Sequence, residues 1–152
     1  MDEVRMDPVG VVRSSFTPES GDKWSIADVI LDEKYAPALK GIEDYSHIII
    51  LFWMDIISGS DRRVLEVHPR GREDMPLVGV FATRSKARPN PIGLSVVELV
   101  AKEGNVLKVR GLDAFDGTPV LDVKPYDYYD VKQDIRVPEW WLKLSRRKGD
   151  RG

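Results

Sequence analysis

Residues 79–95, GVFATRSKARPNPIGLS, form the segment of the sequence best suited to chemistry. The segment leaves one apolar strand, passes three cations and a proline–asparagine–proline triplet at residues 89–91, and enters a second apolar strand. Because proline fixes its own φ and restricts the residue before it, Asn90 is held extended with its side-chain amide displayed. The prolines donate no backbone N–H, so the local carbonyls are left as acceptors. These residues predict a rigid binding loop, although an ordinary connection with solvated cations would have the same composition.

Other polar residues of the sequence are weaker candidates. Asp116 lies in a DGTP sequence that is typical of a turn, so a structural role is the simpler interpretation. The spacing of Asp113 and Asp122 does not single out a general acid–base pair. His47 stands at the start of an apolar run and is interpreted as structural. Gly93 permits close approach by a ligand or by a neighbouring strand.

The composition narrows the class of protein. The 152 residues are enough for one domain with a real core, and a content of 42% hydrophobic and 32% charged residues is typical of a globular protein. The absence of cysteine excludes thiolate chemistry, and the presence of only two histidines argues against a metal site. We see no signal peptide and no apolar stretch long enough to span a bilayer. We therefore expect a cytoplasmic protein with no metal and no membrane partner.

Charge is unevenly distributed along the chain. The net charge is −2, yet residues 62–88 contain seven basic and three acidic side chains, and residues 143–152 are also basic. Concentrated basic segments in an otherwise acidic chain predict a local anionic partner, with solvated basic loops as the alternative. On the first interpretation the side chains that contact RNA phosphates are Arg62, Arg63, Arg70, Arg72, Lys86 and Arg88.

Most segments of the sequence are typical of β-strands. The predicted strands are residues 8–15, 24–31, 47–54, 64–68, 77–83, 92–101, 106–110 and 120–124. The continuous apolar run at 47–54 predicts a strand buried on both faces. One helical turn is predicted at 36–41 and a short helix, with proline first, at 138–144. The fold class is therefore mainly β, a single-sheet antiparallel or mixed β-barrel with one or two short helices over residues 1–145, followed by a disordered basic tail at 146–152.

Residues 79–99 resemble very closely the signature of the TsaA-like family of tRNA methyltransferases, also called TrmO. Further matches lie at residues 112–126, 10–14 and 45–47, so that the resemblance spans about residues 8–126. Bacterial members usually have a Pro-Arg-Gln-like stretch after the first strand, where this chain has Pro-Glu-Ser at residues 18–20, and many have an additional C-terminal domain. A Rossmann-type methyltransferase is excluded, because no glycine-rich turn joins a strand to a helix.

The resemblance implies a single-sheet β-barrel that binds S-adenosylmethionine and acts as a homodimer. It also implies tRNA as the substrate, with N6-methylation of threonylcarbamoyladenosine, the modified base 3′ of the anticodon. On this interpretation Arg84 meets the methionyl carboxylate, and Asp113 bonds a ribose hydroxyl or the ammonium group. The expected cofactor-binding residues are Asp55, Ile56, Arg84, Leu94, Ser95, Leu112, Asp113, Ala114 and Phe115.

Asn90 and Pro91 are the predicted catalytic residues. An exocyclic adenine nitrogen is a poor nucleophile because its lone pair is delocalised into the ring. Acceptors that hydrogen-bond the amino protons would favour attack by that nitrogen. The expected acceptors are the side-chain oxygen of Asn90 and the carbonyls beside Pro89 and Pro91.

Two alternatives to this function stay open. One is a non-catalytic module that binds S-adenosylmethionine or RNA, and the other is a methyltransferase that acts on another substrate. A cofactor site and a basic rim would serve all three functions, so the sequence does not separate them. Trp140 and Trp141 are interpreted as residues of a helix that packs onto the barrel rather than as a platform for base stacking.

Overall fold

The structure, a computed structural model that describes residues 2–54 and 59–145, consists mainly of β-strands. These residues contain eight strands, one α-helix and several short 3-10 helices. The strands are β1 (Gly10–Arg13), β2 (Ile26–Leu31), β3 (His47–Trp53), β4 (Glu66–Val67), β5 (Val78–Gly79), β6 (Ile92–Glu103), β7 (Val106–Arg110) and β8 (Pro119–Pro125), and the helix is α1 (Glu139–Ser145).

Six strands close into a barrel in the order β1, β2, β7, β6, β3 and β8, and every neighbouring pair is antiparallel. Alternate residues of each strand point inward, as the two-residue period of a strand requires. The most deeply buried apolar side chains, each 1% exposed or less, are Val12, Val29, Ile48, Ile50, Val97, Leu107, Val109 and Val120. The predicted mainly β barrel is therefore confirmed, and its pairing is antiparallel rather than mixed.

β3 corrects the prediction of a strand buried on both faces. Its inward residues Ile48, Ile50 and Phe52 are buried, whereas its outward residues Ile49, Leu51 and Trp53 are half-buried and His47 is exposed. The reason is that a closed barrel has a single interior, so only one face of each strand can pack into the core. The continuous apolar run therefore reflects a core face together with an apolar outer face.

The segment between β3 and β6 contains less strand than predicted. Of residues 64–68 and 77–83, only β4 and β5 pair, and they form a separate two-stranded sheet. Pro69 and Pro76 limit both strands, because proline donates no hydrogen bond to a ladder. Val80–Ala82 is a 3-10 turn, and this turn leads into the candidate binding loop.

The helices lie close to their predicted positions. The turn predicted at 36–41 is the 3-10 helix Glu33–Leu39, which Asp32 caps by accepting the Lys34 N–H at 3.1 Å. The helix predicted at 138–144 is α1. The predicted tail at 146–152 lies outside the described residues. No helix in the described part of the chain is long and apolar enough to cross a membrane.

Gly93 is required by close packing against β3. It lies opposite Phe52, and a methyl group added at Gly93 would lie 2.2 Å from Cε2 of that buried ring. The sequence allowed either a ligand or a neighbouring strand to approach Gly93 closely. The structure shows the close approach of a strand, β3.

We expect Gly93→Ala to lower the free energy of unfolding by about 1–3 kcal/mol, because the added methyl group overpacks a filled site. Denaturant unfolding measures the change. Gly79→Ala is the matched control, because a Cβ there would have only the Leu65 carbonyl oxygen nearby, at 3.9 Å. The control should change stability by less than about 0.5 kcal/mol. Equal losses in both variants would contradict the packing argument.

Candidate functional site

A cavity of about 310 Å³ opens at one end of the barrel. Because neighbouring strands are antiparallel, β3 ends, β6 begins and β7 ends on this same side. We call it the barrel-end cavity. Its lining combines apolar side chains with three cations and one carboxylate. The lining residues are Phe52, Met54, Thr83, Arg84, Lys86, Arg88, Ile92, Gly93, Leu94, Asp113, Ala114, Phe115 and Thr118.

Side-chain hydrogen bonds shape the loop of residues 83–88 along one wall of the cavity. Thr83 Oγ1 donates to the Val80 carbonyl at 2.8 Å and accepts the Ser85 N–H at 3.1 Å. Arg88 Nη1 donates to the carbonyls of Thr83 and Ser85, at 3.1 and 3.0 Å. Arg88 therefore lines the cavity and stabilises the loop. The sequence predicted only a contact between Arg88 and an RNA phosphate, and not this structural role.

The proline–asparagine–proline triplet is held by Arg62. Its Nε donates to the Pro89 carbonyl at 2.8 Å, and its Nη2 donates to Asn90 Oδ1 at 3.2 Å. The same guanidinium lies 5.5 Å from the centre of the Trp53 ring, a favourable cation–π distance. Arg62 thus stabilises the loop from outside, rather than standing as an unengaged phosphate contact. The predicted catalytic Asn90 faces this arginine and is not among the residues that line the cavity.

The backbone of the triplet is also engaged. The Pro91 carbonyl accepts the Met54 N–H at 2.7 Å, which joins the loop to the end of β3. The Asn90 carbonyl accepts the Ile92 N–H, also at 2.7 Å. The predicted acceptors are therefore present, and each already accepts one hydrogen bond from the protein. A carbonyl or amide oxygen has two lone pairs, so the exposed Asn90 side chain can accept a further hydrogen bond, whereas Pro91 is buried.

The loop after β7 forms the opposite wall of the cavity. Ser95 Oγ accepts the Asp113 N–H at 3.2 Å, and Leu112 is buried beneath it. The Phe115 ring packs against Phe16 with centroids 4.7 Å apart. Phe115 is therefore fixed on one side by Phe16.

The turn that follows Phe115 is structural. Asp116 Oδ1 accepts the Ser14 N–H at 3.0 Å, and the Thr118 N–H donates to the Phe115 carbonyl at 3.2 Å. The interpretation of Asp116 as a turn residue is confirmed. His47 also has a local partner, since its Nδ1 lies 2.7 Å from Ser46 Oγ on the exposed side of β3.

The cations between residues 62 and 88 occupy different environments. Lys86 lines the cavity with its ammonium 4.3 Å from the centre of the Phe115 ring. Arg72 forms an ion pair with Asp74, and the hydrogen bond to that carboxylate raises the pKa of Arg72. Arg63 and Arg70 are exposed. The basic side chains of residues 62–88 therefore differ in their contacts: some line the cavity, some bind other protein groups, and some lie on the surface.

The cavity brings together five predicted cofactor-binding residues: Arg84, Leu94, Asp113, Ala114 and Phe115. Ser95 and Leu112 lie buried behind this wall, and Asp55 and Ile56 lie outside the described residues. Sequence reasoning missed Phe52, Met54, Thr83, Ile92 and Thr118. The only available signal for Phe52 and Met54 was their position near the end of an apolar strand. In the described part of the chain, no group of three His, Cys, Asp or Glu side chains is placed to hold a metal ion.

A closed antiparallel barrel with this loop-built cavity defines a class of small β-barrel proteins distinct from Rossmann-type enzymes. The family model of the tRNA-methyltransferase O N-terminal domain matches residues 14–131. The chain therefore belongs to the tRNA-methyltransferase O family of S-adenosylmethionine-dependent methyltransferases, as the resemblance predicted.

Named relatives of the chain fall into two groups. The S-adenosyl-L-methionine-binding protein of Archaeoglobus fulgidus is 46% identical over 127 residues, which cover 80% of this chain and 88% of the relative. The tRNA (adenine(37)-N6)-methyltransferase of Escherichia coli is 37% identical over 140 residues, which cover 83% of this chain and 59% of the enzyme. The crystal structure of TrmO from Pseudomonas aeruginosa superposes with a TM-score of 0.69 and 33% identity, covering 89% of this chain and 62% of that one. The chain thus spans about three fifths of these two bacterial proteins.

Arg62 and Arg63 offer a direct test of the loop geometry, because they are adjacent and of the same type. We expect Arg62→Ala to increase amide hydrogen exchange at Ile92, whose N–H closes the turn at Asn90. Unfolding stability should fall by about 1 kcal/mol through the lost hydrogen bonds. Arg63→Ala, which removes an exposed side chain, should leave Ile92 exchange unchanged. Identical exchange at Ile92 in the two variants would contradict the role assigned to Arg62.

Proposed function

We propose that the protein binds S-adenosylmethionine in the barrel-end cavity and uses it as a methyl donor. The observation that carries this proposal is the convergence of the five predicted cofactor residues, which come from three separate parts of the chain, on one cavity. Arg84 and Asp113 offer opposite charges that suit the carboxylate and ammonium of a methionyl group. Phe115 adds an apolar ring to the same wall of the cavity. The name of the Archaeoglobus relative, an S-adenosyl-L-methionine-binding protein, supports this assignment.

The bound cofactor supplies a methyl group already activated on a sulfonium, so the protein's own work is alignment and exclusion of water. Phe52, Met54 and Phe115 give the cavity an apolar surface that disfavours water. Arg62 fixes the Pro89 carbonyl and Asn90 Oδ1. A remaining lone pair on one of these oxygens can accept the single N–H of the target nitrogen.

The proposed reaction is N6-methylation of threonylcarbamoyladenosine, 3′ of the anticodon of tRNA. The lone pair of the nitrogen forms the new N–C bond, the electrons of the C–S bond remain on sulfur as a neutral thioether, and the displaced N–H proton passes to water. The name of the E. coli relative supports an adenine N6 target in tRNA. We assign Arg63 and Arg70, which are both exposed, to contacts with RNA phosphates.

We expect the purified protein to transfer labelled methyl groups to tRNA that carries the threonylcarbamoyl modification and not to unmodified tRNA. Arg84→Ala should weaken cofactor binding about 10- to 100-fold in calorimetry, because a charge-assisted hydrogen bond is lost. Asn90→Ala should leave both binding steps intact and lower the rate roughly 10²-fold.

Arg63→Ala is the matched control for Arg84→Ala. It should leave cofactor affinity unchanged and lower the salt dependence of tRNA binding by about one phosphate contact. Loss of cofactor binding in Arg63→Ala with full activity in Asn90→Ala would contradict the assigned roles. Saturable cofactor binding without transfer to any tRNA would favour a binding module instead.

We further propose that the protein is a two-fold homodimer that associates through the outer face of β3 and β6. On this face Ile92, Leu94 and Val96 are 39%, 46% and 43% exposed. They lie opposite the half-buried residues Trp53, Leu51 and Ile49, so that the apolar surface is continuous across both strands. Such a contiguous apolar patch is typical of an interaction site.

The same face adjoins the barrel-end cavity, because Ile92 and Leu94 also line that cavity. Its volume of about 310 Å³ is at the lower limit for a site that encloses a small molecule. A second copy placed on this face would add a wall to the cavity. This arrangement favours an isologous dimer over contact with an unrelated partner.

Light scattering is expected to give twice the chain mass of 17.2 kDa. Val96→Glu should shift the protein to a monomer, because the partner would have to bury an unpaired charge. Ile26→Glu is the control, since Ile26 is 46% exposed on β2, which lies three positions from β3 around the barrel. A monomeric wild-type protein, or equal disruption by both variants, would contradict the assigned face.

A further inference from the structure

Two buried residues of the described chain carry a hydroxyl group, and only one of these hydroxyls has a partner in the protein. Ser95 is 7% exposed, and its Oγ accepts the Asp113 N–H at 3.2 Å. Thr118 is 4% exposed, and its backbone is fully used, because its N–H donates to the Phe115 carbonyl and its carbonyl accepts the Val12 N–H at 2.9 Å. Within the residues that the structure describes, no hydrogen bond engages the Thr118 hydroxyl.

The Thr118 hydroxyl faces the barrel-end cavity. Thr118 lines this cavity, and among the described residues no side-chain nitrogen or oxygen is both fully buried and without a hydrogen-bond partner. The unpartnered oxygen of Thr118 therefore reaches the cavity surface instead of being sealed in the core. A polar group in such a position favours a ligand that can hydrogen-bond it, because covering it with an apolar group costs free energy.

The surroundings of Thr118 are apolar. Val120, two residues further along β8, is fully buried and pairs with Phe52, so Thr118 points to the same inner side of the barrel. Phe52 and Ala114, which line the cavity with Thr118, are 3% and 4% exposed. The buried part of the cavity thus offers one hydroxyl among hydrocarbon side chains.

The charged groups of the cavity lie in its exposed part. Arg84, Lys86 and Asp113 line the cavity and are exposed, in contrast to Thr118. A ligand with one charged end and one neutral end keeps the charged end in this exposed part, because burying a charge costs more free energy than burying a neutral group. The neutral end then lies in the buried part, beside the Thr118 hydroxyl.

We propose that Thr118 is a specificity-determining residue for the cofactor, and that its hydroxyl donates a hydrogen bond to a ring nitrogen of the adenine of S-adenosylmethionine. This inference rests on the proposed function, and it adds an orientation in which the adenine lies inward and the methionyl group outward. A hydroxyl has one proton to donate, and an adenine ring nitrogen is a neutral acceptor. A buried hydrogen-bonding group of this kind discriminates against analogues that lack its partner.

The first test replaces the hydroxyl by a methyl group in the full chain. Thr118→Val should weaken binding of S-adenosylmethionine about 10-fold in calorimetry, whereas Thr118→Ser, which keeps the hydroxyl, should retain most of the affinity. The free energy of unfolding without cofactor should not fall in Thr118→Val, because the hydroxyl has no protein partner to lose. Thr17→Val is the matched control, since Thr17 does not line the cavity and its hydroxyl accepts the Ser20 N–H. The control should bind the cofactor with unchanged affinity.

The second test uses analogues of S-adenosylmethionine in which a CH group replaces one adenine ring nitrogen, together with the 2′-deoxy analogue. The wild type should bind one ring analogue more weakly than the cofactor, and Thr118→Val should bind that analogue and the cofactor equally well, as a double-mutant cycle requires for a direct contact.

Three outcomes would overturn the assignment while leaving the proposed function standing. They are full cofactor affinity in Thr118→Val, coupling of Thr118 to the 2′-deoxy analogue instead of a ring analogue, and a loss of stability in Thr118→Val that would assign a structural role to the hydroxyl. A wild-type protein that binds no S-adenosylmethionine would instead contradict the proposed function itself.

Discussion

Seven residue pairs join β3 to β6, from His47 opposite Glu98 to Trp53 opposite Ile92. The inward members of this ladder fill the barrel, and the outward members form an apolar face. Near the end of β3, Phe52 pairs with Gly93, and its aromatic ring packs against the glycine backbone. Both residues line the barrel-end cavity. Register therefore links the core, the cavity and the outer face, since a shift by one residue would exchange the inward and outward sets.

The pairing of β3 with β6 determines where the loop before β6 lies. The conformation of the loop depends on other contacts. The Met54 N–H holds the Pro91 carbonyl at the end of the ladder, while Arg62 and Arg88 satisfy carbonyls farther along. Two prolines remove donors and restrict the chain, and two arginines supply donors from side chains. The result is a rigid segment that needs no strand partner over residues 83–91, which is how an irregular loop can present a fixed set of groups.

The sequence predicted the barrel because alternation and turn residues are local properties. β7 has the predicted bounds, and the two residues between Glu103 and Val106 are a glycine and an asparagine, which favour a tight turn between two strands. The bracing of the loop could not be predicted in the same way. Arg62 lies 27 residues from Pro89, and nothing in the spacing indicates that this arginine, rather than Arg63, turns towards the loop. Basic residues were therefore grouped by proximity in the chain, whereas the structure separates them by what each contacts.

The sequence predicted those cavity residues that lie in distinctive polar or proline-rich segments. It missed those that lie in ordinary apolar strands. Phe52 lines the cavity but belongs to an apolar strand, and in sequence such a residue is indistinguishable from core.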